Sequence, residues 1–288
     1  MNRGMLSKIR SINPVFVFIL PGLLGFTIFY IWPFILSLEY AFVDQAVNGS
    51  FVGLQNFIDL LHNKPYLNGL KNTVLFILIC VPLNIFLSLG VATLIKKTNK
   101  FKALFILIFL IPLVIPSGSM VFFWKMFFDY HGYLNHILFQ MGLDKVNWLE
   151  TSNARYVVVL LFIWKNLGYN VILFLAGLSS IPKEYYEAAK IDGAGPFHEF
   201  IHITLVNLVP TFFLVIIMSI INSFNVFKEI YLITGSYPHE SIYMLQHFMN
   251  NMFSSLHYQK LSTATCILIL MIGVVTQCLF KIERKLTK

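Results

Sequence analysis

The sequence predicts an all-α membrane protein with six transmembrane helices and both termini on the cytoplasmic side. Three observations carry that prediction. Of 288 residues, 57% are hydrophobic and 12% charged, with a mean hydropathy of +0.74, whereas a soluble domain is about one quarter charged. Six apolar runs approach the roughly 20 residues that a helix needs to cross a bilayer. Lysine and arginine are also unequally shared between the two sets of loops. Thirteen fall on the side of the N-terminus, among them Arg3, Lys8, Arg10, Lys100 and Lys288, and seven on the other, with Lys165 inside a run. Positive loops stay in the cytoplasm. That bias accounts for the net charge of +8, so no nucleic acid is expected as a partner.

The first run, 15–36, is too long for a signal-peptide core and lacks a small-residue cleavage site, so no cleavable signal is expected. Tyr30, Trp32 and Tyr40 mark its outer end as interfacial anchors. An outer segment, 44–72, follows, with a short helix expected at 52–57. The second and third runs, 73–95 and 104–123, carry Pro82, Pro112 and Pro116, which is tolerable where neighbouring helices satisfy the freed carbonyls. Trp124, Tyr130, Tyr133, Trp148 and Tyr156 border the outer segment 128–155, where a second short helix is expected at 133–138. The remaining runs are 156–178, 208–227 and 261–280. Cys80, Cys266 and Cys278 all sit in apolar runs and read as packing residues, not as a disulfide or metal framework.

One polar stretch, from Ser180 to Thr204, interrupts this pattern on the cytoplasmic side and reads as two short helices. Pro182 suits a first helical position, with Ser179 or Ser180 as its cap. Glu184 and Glu187 come early, where the helix dipole favours negative charge. Asp192-Gly193-Ala194-Gly195 ends the first helix, because glycine takes a left-handed turn at little cost. Pro196 restarts a helix, with Phe197, Phe200, Ile201 and Thr204 at helical spacing. Ala188 and Ala189 are small enough for another backbone to approach closely.

At Glu187-Ala188-Ala189, Asp192-Gly193-Ala194 and Ile203-Thr204-Leu205 the stretch resembles the cytoplasmic signature of permease subunits of binding-protein-dependent ABC importers. Further segments resemble the sugar and glycerol-phosphate branch of that family. They are Asn72-Thr73, Val81-Pro82-Leu83, Asn147-Trp148-Leu149, Trp164 to Asn170, Leu173 to Leu178, Ser223 to Phe227 and Leu232-Ile233-Thr234-Gly235. The resemblance covers nearly the whole chain. It departs where many relatives have proline after Ile-Thr-Leu and this chain has Val206, a change expected to alter how the second short helix enters span five.

The resemblance implies a type I ABC-importer permease fold in a bacterial plasma (inner) membrane. Residues 1–72 would hold the tail, a peripheral first helix and an outer loop. Residues 73–288 would hold a five-helix permease core, with coupling helices at about 180–205. Glu187, Ala188, Ala189, Asp192 and Gly193 would carry coupling to the ATPase. The implied partners are a homologous second permease, two ATP-binding subunits, an extracytoplasmic solute-binding protein, membrane lipid and a sugar-like substrate, with glycerol phosphate as the alternative. No catalytic residue, cofactor or metal is expected. The sequence has neither a phosphate-binding loop ending in Lys-Ser/Thr nor a nucleophile elbow.

Two other signals bear on function. His198-Glu199-Phe200-Ile201-His202 matches H-E-x-x-H, the zinc-protease pattern. A catalytic zinc needs a third ligand, and Glu229, His239 and His247 are expected on the opposite side of the membrane. Polar residues at membrane depth are the second signal, because they are costly unless they line a cavity or a bundle interior. Lys165, Tyr169, Asn170, Asn222, Ser223 and Asn225 are candidate pathway residues, with Asn84 as an outlier that otherwise packs between helices. Amides, hydroxyls and aromatic rings suit a sugar. Lys165 alternatively snorkels to the outer interface. A secondary transporter is disfavoured by the absence of paired acids within the spans.

Overall fold

The computed structural model describes residues 14–45, 47–98 and 101–286, with side chains from residue 18 onward. Arg3, Lys8, Arg10, Lys100 and Lys288, part of the charge asymmetry, lie outside the described residues. Among the described residues, five helices are long and apolar enough to cross a membrane, and six spans result if one bent pair counts as one. The chain divides into two compact units, residues 1–62 with 252–269 and residues 63–251 with 270–288.

In the first unit, α1 (Pro14–Phe26) passes through a π-helical turn, Thr27–Ile31, into α2 (Trp32–Glu39). Pro33 lies just beyond the widened turn, which relieves the clash between its ring and the preceding carbonyls. Phe18, Phe29 and Trp32 are exposed, as a lipid-facing helix requires. The short outer helix, α3, spans Gln55–Leu61, later than the expected 52–57, because Gly53 takes a left-handed conformation with φ +58°. Asn56 fastens it by donating to the Ala41 and Val43 carbonyls at 3.0 and 2.9 Å.

In the second unit, α4 (Lys64–Lys97) begins well before the predicted Thr73. Asn63 caps it by accepting the Tyr66 N–H at 3.1 Å, and Pro65 occupies its first turn. Its burial follows the helical period: Phe76, Cys80, Asn84, Ser88 and Ala92 are buried, while Leu78, Phe86 and Leu94 face outward.

The predicted third span, 104–123, is not continuous. It is two helices, α5 (Lys102–Val114) and α6 (Ser117–Phe128), at a break where the path turns by 94°. Pro116 causes the break. Ile115 before it is extended (φ −67°, ψ 125°), the conformation a following proline imposes. The next helix, α7 (Tyr133–Gln140), falls where the sequence places it. Its fully buried Asn135 accepts the Val146 N–H at 2.9 Å and the Trp148 Nε1–H at 3.2 Å, and donates to the Val146 carbonyl at 2.8 Å.

Two long helices, α8 (Ala154–Ser180) and α11 (Val209–Thr234), complete the centre of this unit. One buried cluster holds Trp124 stacked on Phe128 at 5.4 Å and edge-on to Trp164 at 5.7 Å. A second packs Val81, Ile85 and Leu89 with Phe174, Leu178 and Val215. At Gly168, α8 crosses α5 so closely that a Cβ would overlap the Phe109 carbonyl. Beyond α11, Asn72 donates to the Glu240 and Tyr243 carbonyls at 2.7 and 3.0 Å, and Thr73 accepts the Leu245 N–H at 2.9 Å. These bonds tie the segment entering α12 (Leu245–Ser254) to α4. Within it His247 accepts the Met244 N–H at 3.1 Å and lies edge-on to Phe227, and burial pushes its pKa down to about 4. The last helix, α13, runs from Tyr258 to Leu286, beyond both ends of the predicted 261–280. Cys80, Cys266 and Cys278 are free thiols.

Candidate functional site

The polar stretch forms two short helical segments, as its residues imply. The first, α9, spans Lys183–Ile191. Its start corrects the sequence reading: α8 continues through Ser180, and Pro182 is the non-helical cap (φ −57°, ψ 139°), not the first helical residue. The reason is local, because Ile181 before the proline is extended (ψ 120°) and separates the two helices. Glu184 lies in the first turn and Lys190 in the last, both matched to the helix dipole.

Gly193 makes the turn with φ +79°, and the Ala194 N–H returns to the Ala189 carbonyl at 2.9 Å. Together these close the end of α9. Gly195 and Pro196 then start α10 (Pro196–Glu199), which widens into a π-helical segment, Phe200–Leu205. At Val206 the helical path continues, its N–H bonded to the Ile203 carbonyl, a bond that proline there could not make.

A concave surface of about 490 Å³ between the segments brings together Ala189, Asp192 and Gly193 of the predicted coupling residues. Glu187 and Ala188 are outside it, exposed on α9. Tyr185, Ile191 and Phe197 are exposed apolar side chains on the same loop. The loop is fastened from within. The Tyr186 hydroxyl meets Thr204 Oγ1 at 3.0 Å, and Lys96 donates to the Leu178 carbonyl at 2.7 Å with its ammonium 5.3 Å from the Tyr186 ring. Thr204 thus earns its place in the signature as the bond that joins the two segments.

A cavity of about 280 Å³ lies between α8 and α11, lined by Lys165, Asn166, Asn222, Asn225 and Glu229 with Leu113, Leu161, Phe162 and Val226. A neighbouring cleft of about 320 Å³ shares Lys165, Asn225 and Glu229 and adds Ser117, Phe224 and Lys228. Three of the six predicted pathway residues, Lys165, Asn222 and Asn225, line these spaces. The other three do not. Asn170 is fully buried and donates to Ser219 Oγ at 2.9 Å, Ser223 bonds the Ile220 carbonyl at 2.6 Å, and Tyr169 lines neither space. Asn84 is on the buried face of α4, away from both.

Glu229 is the residue that sequence reasoning misplaced. Ending span five at Phe227 puts it in an outer loop, out of reach of Lys165. Instead α11 continues to Thr234, the Glu229 side chain is only 1% exposed, and it forms an ion pair with Lys165. Lys165 therefore does not snorkel. The signal was present: a lysine within a span calls for a carboxylate at the same depth. Ser117, the first residue of α6, donates a further hydrogen bond to Glu229 Oε1 at 3.0 Å.

The H-E-x-x-H histidines do share a face. Their rings stack at 3.9 Å, and His202 Nδ1 is 3.2 Å from the His198 carbonyl. Stacked rings do not aim two nitrogens at one point. Among the described residues, no group of three His, Cys, Asp or Glu could hold a metal ion.

The geometry can be set beside known proteins. The family model described as the binding-protein-dependent transport system inner membrane component matches residues 61–287. The probable ABC transporter permease protein YesP of Bacillus subtilis is 30% identical over 92% of this chain and 89% of its own length. The trehalose/maltose transport system permease protein MalF of Thermococcus litoralis is 33% identical, covering 83% of each chain. The sn-glycerol-3-phosphate permease protein UgpA of Yersinia pestis is 30% identical over 94% of each. In structure, a bacterial ABC transporter that imports the acidic polysaccharide alginate superposes with a TM-score of 0.86 over 99% of each chain, at 23% identity. That likeness establishes the fold.

Proposed function

Because the chain belongs to the family of binding-protein-dependent transport system inner membrane components, we propose that its cavity carries a sugar or related solute and that its paired short helices couple that passage to a separate ATPase. One observation carries the reading. The two helices that supply every polar side chain of the cavity, α8 and α11, are the same two that flank the exposed loop at 183–205. A displacement of the loop therefore acts on both cavity walls at once, with Tyr186–Thr204 and Lys96 keeping the connection stiff.

Asn166, Asn222 and Asn225 supply amide donors and acceptors, and Phe162 and Phe224 supply apolar faces, the inventory a sugar needs. On this reading Glu187 and Ala188 present themselves to the ATPase, while Ala189, Asp192 and Gly193 shape the concave surface between the segments. On the same reading both termini lie in the cytoplasm, which the excess of lysine and arginine on that side supports. The tail, first span and outer loop precede residue 64, short of the expected boundary at 72, because α4 already begins at Lys64, and the permease core follows. The chain itself is non-catalytic, and ATP is hydrolysed by partner subunits.

The expected assembly contains this chain, a homologous second permease and two ATP-binding subunits, with a solute-binding protein delivering substrate from outside. Native mass spectrometry of the complex purified in gentle detergent tests this. One similar permease and two ATPase copies are expected. Recovery of this chain alone in intact, monodisperse form would sink the reading.

A further inference from the structure

The Lys165–Glu229 pair sets the electrical character of the cavity. We propose, building on the permease reading above, that it acts as a charge filter: the cavity admits uncharged polyhydroxy solutes and rejects those bearing a phosphate or carboxylate, and Glu229 is the specificity-determining residue.

The other polar residues of the cavity, Asn166, Asn222 and Asn225, carry no charge. Its net charge thus rests on one ammonium and one carboxylate. A lysine alone at this depth would be an anion site, since an unpaired buried charge is strongly driven to find a counter-ion. Glu229 occupies that role permanently. Lys165 and the Ser117 hydroxyl both donate to its Oε1, and its side chain is 1% exposed. An arriving anion would have to displace this carboxylate or sit beside it, where little water intervenes to weaken like-charge repulsion.

A neutral sugar meets no such barrier. The Lys165 side chain is 21% exposed, so its remaining ammonium protons are available as donors. A hydroxyl can accept from Lys165 while a neighbouring hydroxyl donates to Glu229 Oε2, with the asparagine amides completing the contacts. Lys228 lines the adjacent cleft but is solvent-exposed. Salt and water screen its attraction for anions, so it does not set the selection in the cavity.

The test is equilibrium dialysis of the detergent-purified importer against radiolabelled solutes. The neutral probes are maltose, trehalose, cellobiose and raffinose, and the anionic probe is glycerol 3-phosphate. Wild-type complex is expected to retain at least one neutral probe in preference to the anion. Glu229→Gln keeps the shape and the acceptor for Ser117 but frees the Lys165 charge. It should shift the preference toward glycerol 3-phosphate by at least about ten-fold, or about 1.4 kcal/mol. The double variant Lys165→Gln/Glu229→Gln removes both charges and should lose that gain, which a merely structural pair would not predict. An unchanged preference in Glu229→Gln, or the same anion gain in the double variant, overturns the filter while leaving the sugar permease intact. A wild-type complex that retains only the anion overturns the filter and the sugar assignment together. Retention of no probe by the wild type counts against the sugar assignment, and the filter falls with it.

Discussion

Gly168→Val is expected to remove nearly all correctly folded chain from the membrane. At this position α8 presses its backbone against the Phe109 carbonyl of α5, and even a methyl group would overlap it. Helices in lipid have no hydrophobic effect to draw them together, so close contact through small residues supplies much of their association. Valine forces the two helices apart and strips contacts from both, whereas overpacking a soluble core by a methylene or two already costs about 1–3 kcal/mol. The readout is the monodisperse fraction in size-exclusion chromatography after solubilisation, expected to fall at least about ten-fold, because the overlap is with backbone, which cannot swing aside, and separating the two helices exceeds a marginal stability of about 5–15 kcal/mol. Gly90→Val is the control, because nothing lies within 4 Å of its Cβ position. Equal loss in both variants would show that the α5–α8 crossing has no special tightness.

Glu187→Lys should leave the chain folded and disconnect it from ATP hydrolysis. Glu187 is exposed on α9, so reversing its charge disturbs little within the chain. In the proposed assembly it becomes part of a contact with the ATPase. Reversal there replaces an attraction with a repulsion in a desolvated interface, and truncating even one partner of such a pair costs about 2–5 kcal/mol. Substrate-stimulated ATP hydrolysis by the reconstituted importer is therefore expected to fall at least about ten-fold. The amount of chain in the membrane should hold. Full stimulation in this variant would show that Glu187 takes no part in coupling.

The amino-acid sequence made the spans legible because lipid demands long apolar runs, and it made the two-segment loop legible because Gly193 and Pro196 are strong local signals. Helix ends were less legible. Asn63 and Pro65 extend α4 outward through polar residues that an apolar-run criterion excludes. The 94° turn after Val114 depended on which of two prolines would act. Pro112 stays inside α5, whereas Pro116 ends it by holding Ile115 extended. Glu229 was missed because Lys228-Glu229 looks like the polar end of a span. Successive residues on a helix point about 100° apart, so Lys228 faces outward while Glu229 turns in to Lys165. Of the predicted pathway residues, Asn222 and Asn225 reach the cavity and Ser223 between them does not, a difference of helical phase that composition cannot reveal.

Coupling requires that the loop at 183–205 touch a separate ATPase. The direct measurement is photo-crosslinking from a benzoyl-phenylalanine placed at Ala188, exposed on α9, in the assembled importer, with the adduct identified by mass spectrometry. An adduct with a subunit that carries a phosphate-binding loop is expected, reduced when Glu187→Lys is added. An intact complex in which Ala188 crosslinks only to lipid or to another membrane chain would contradict coupling through this loop.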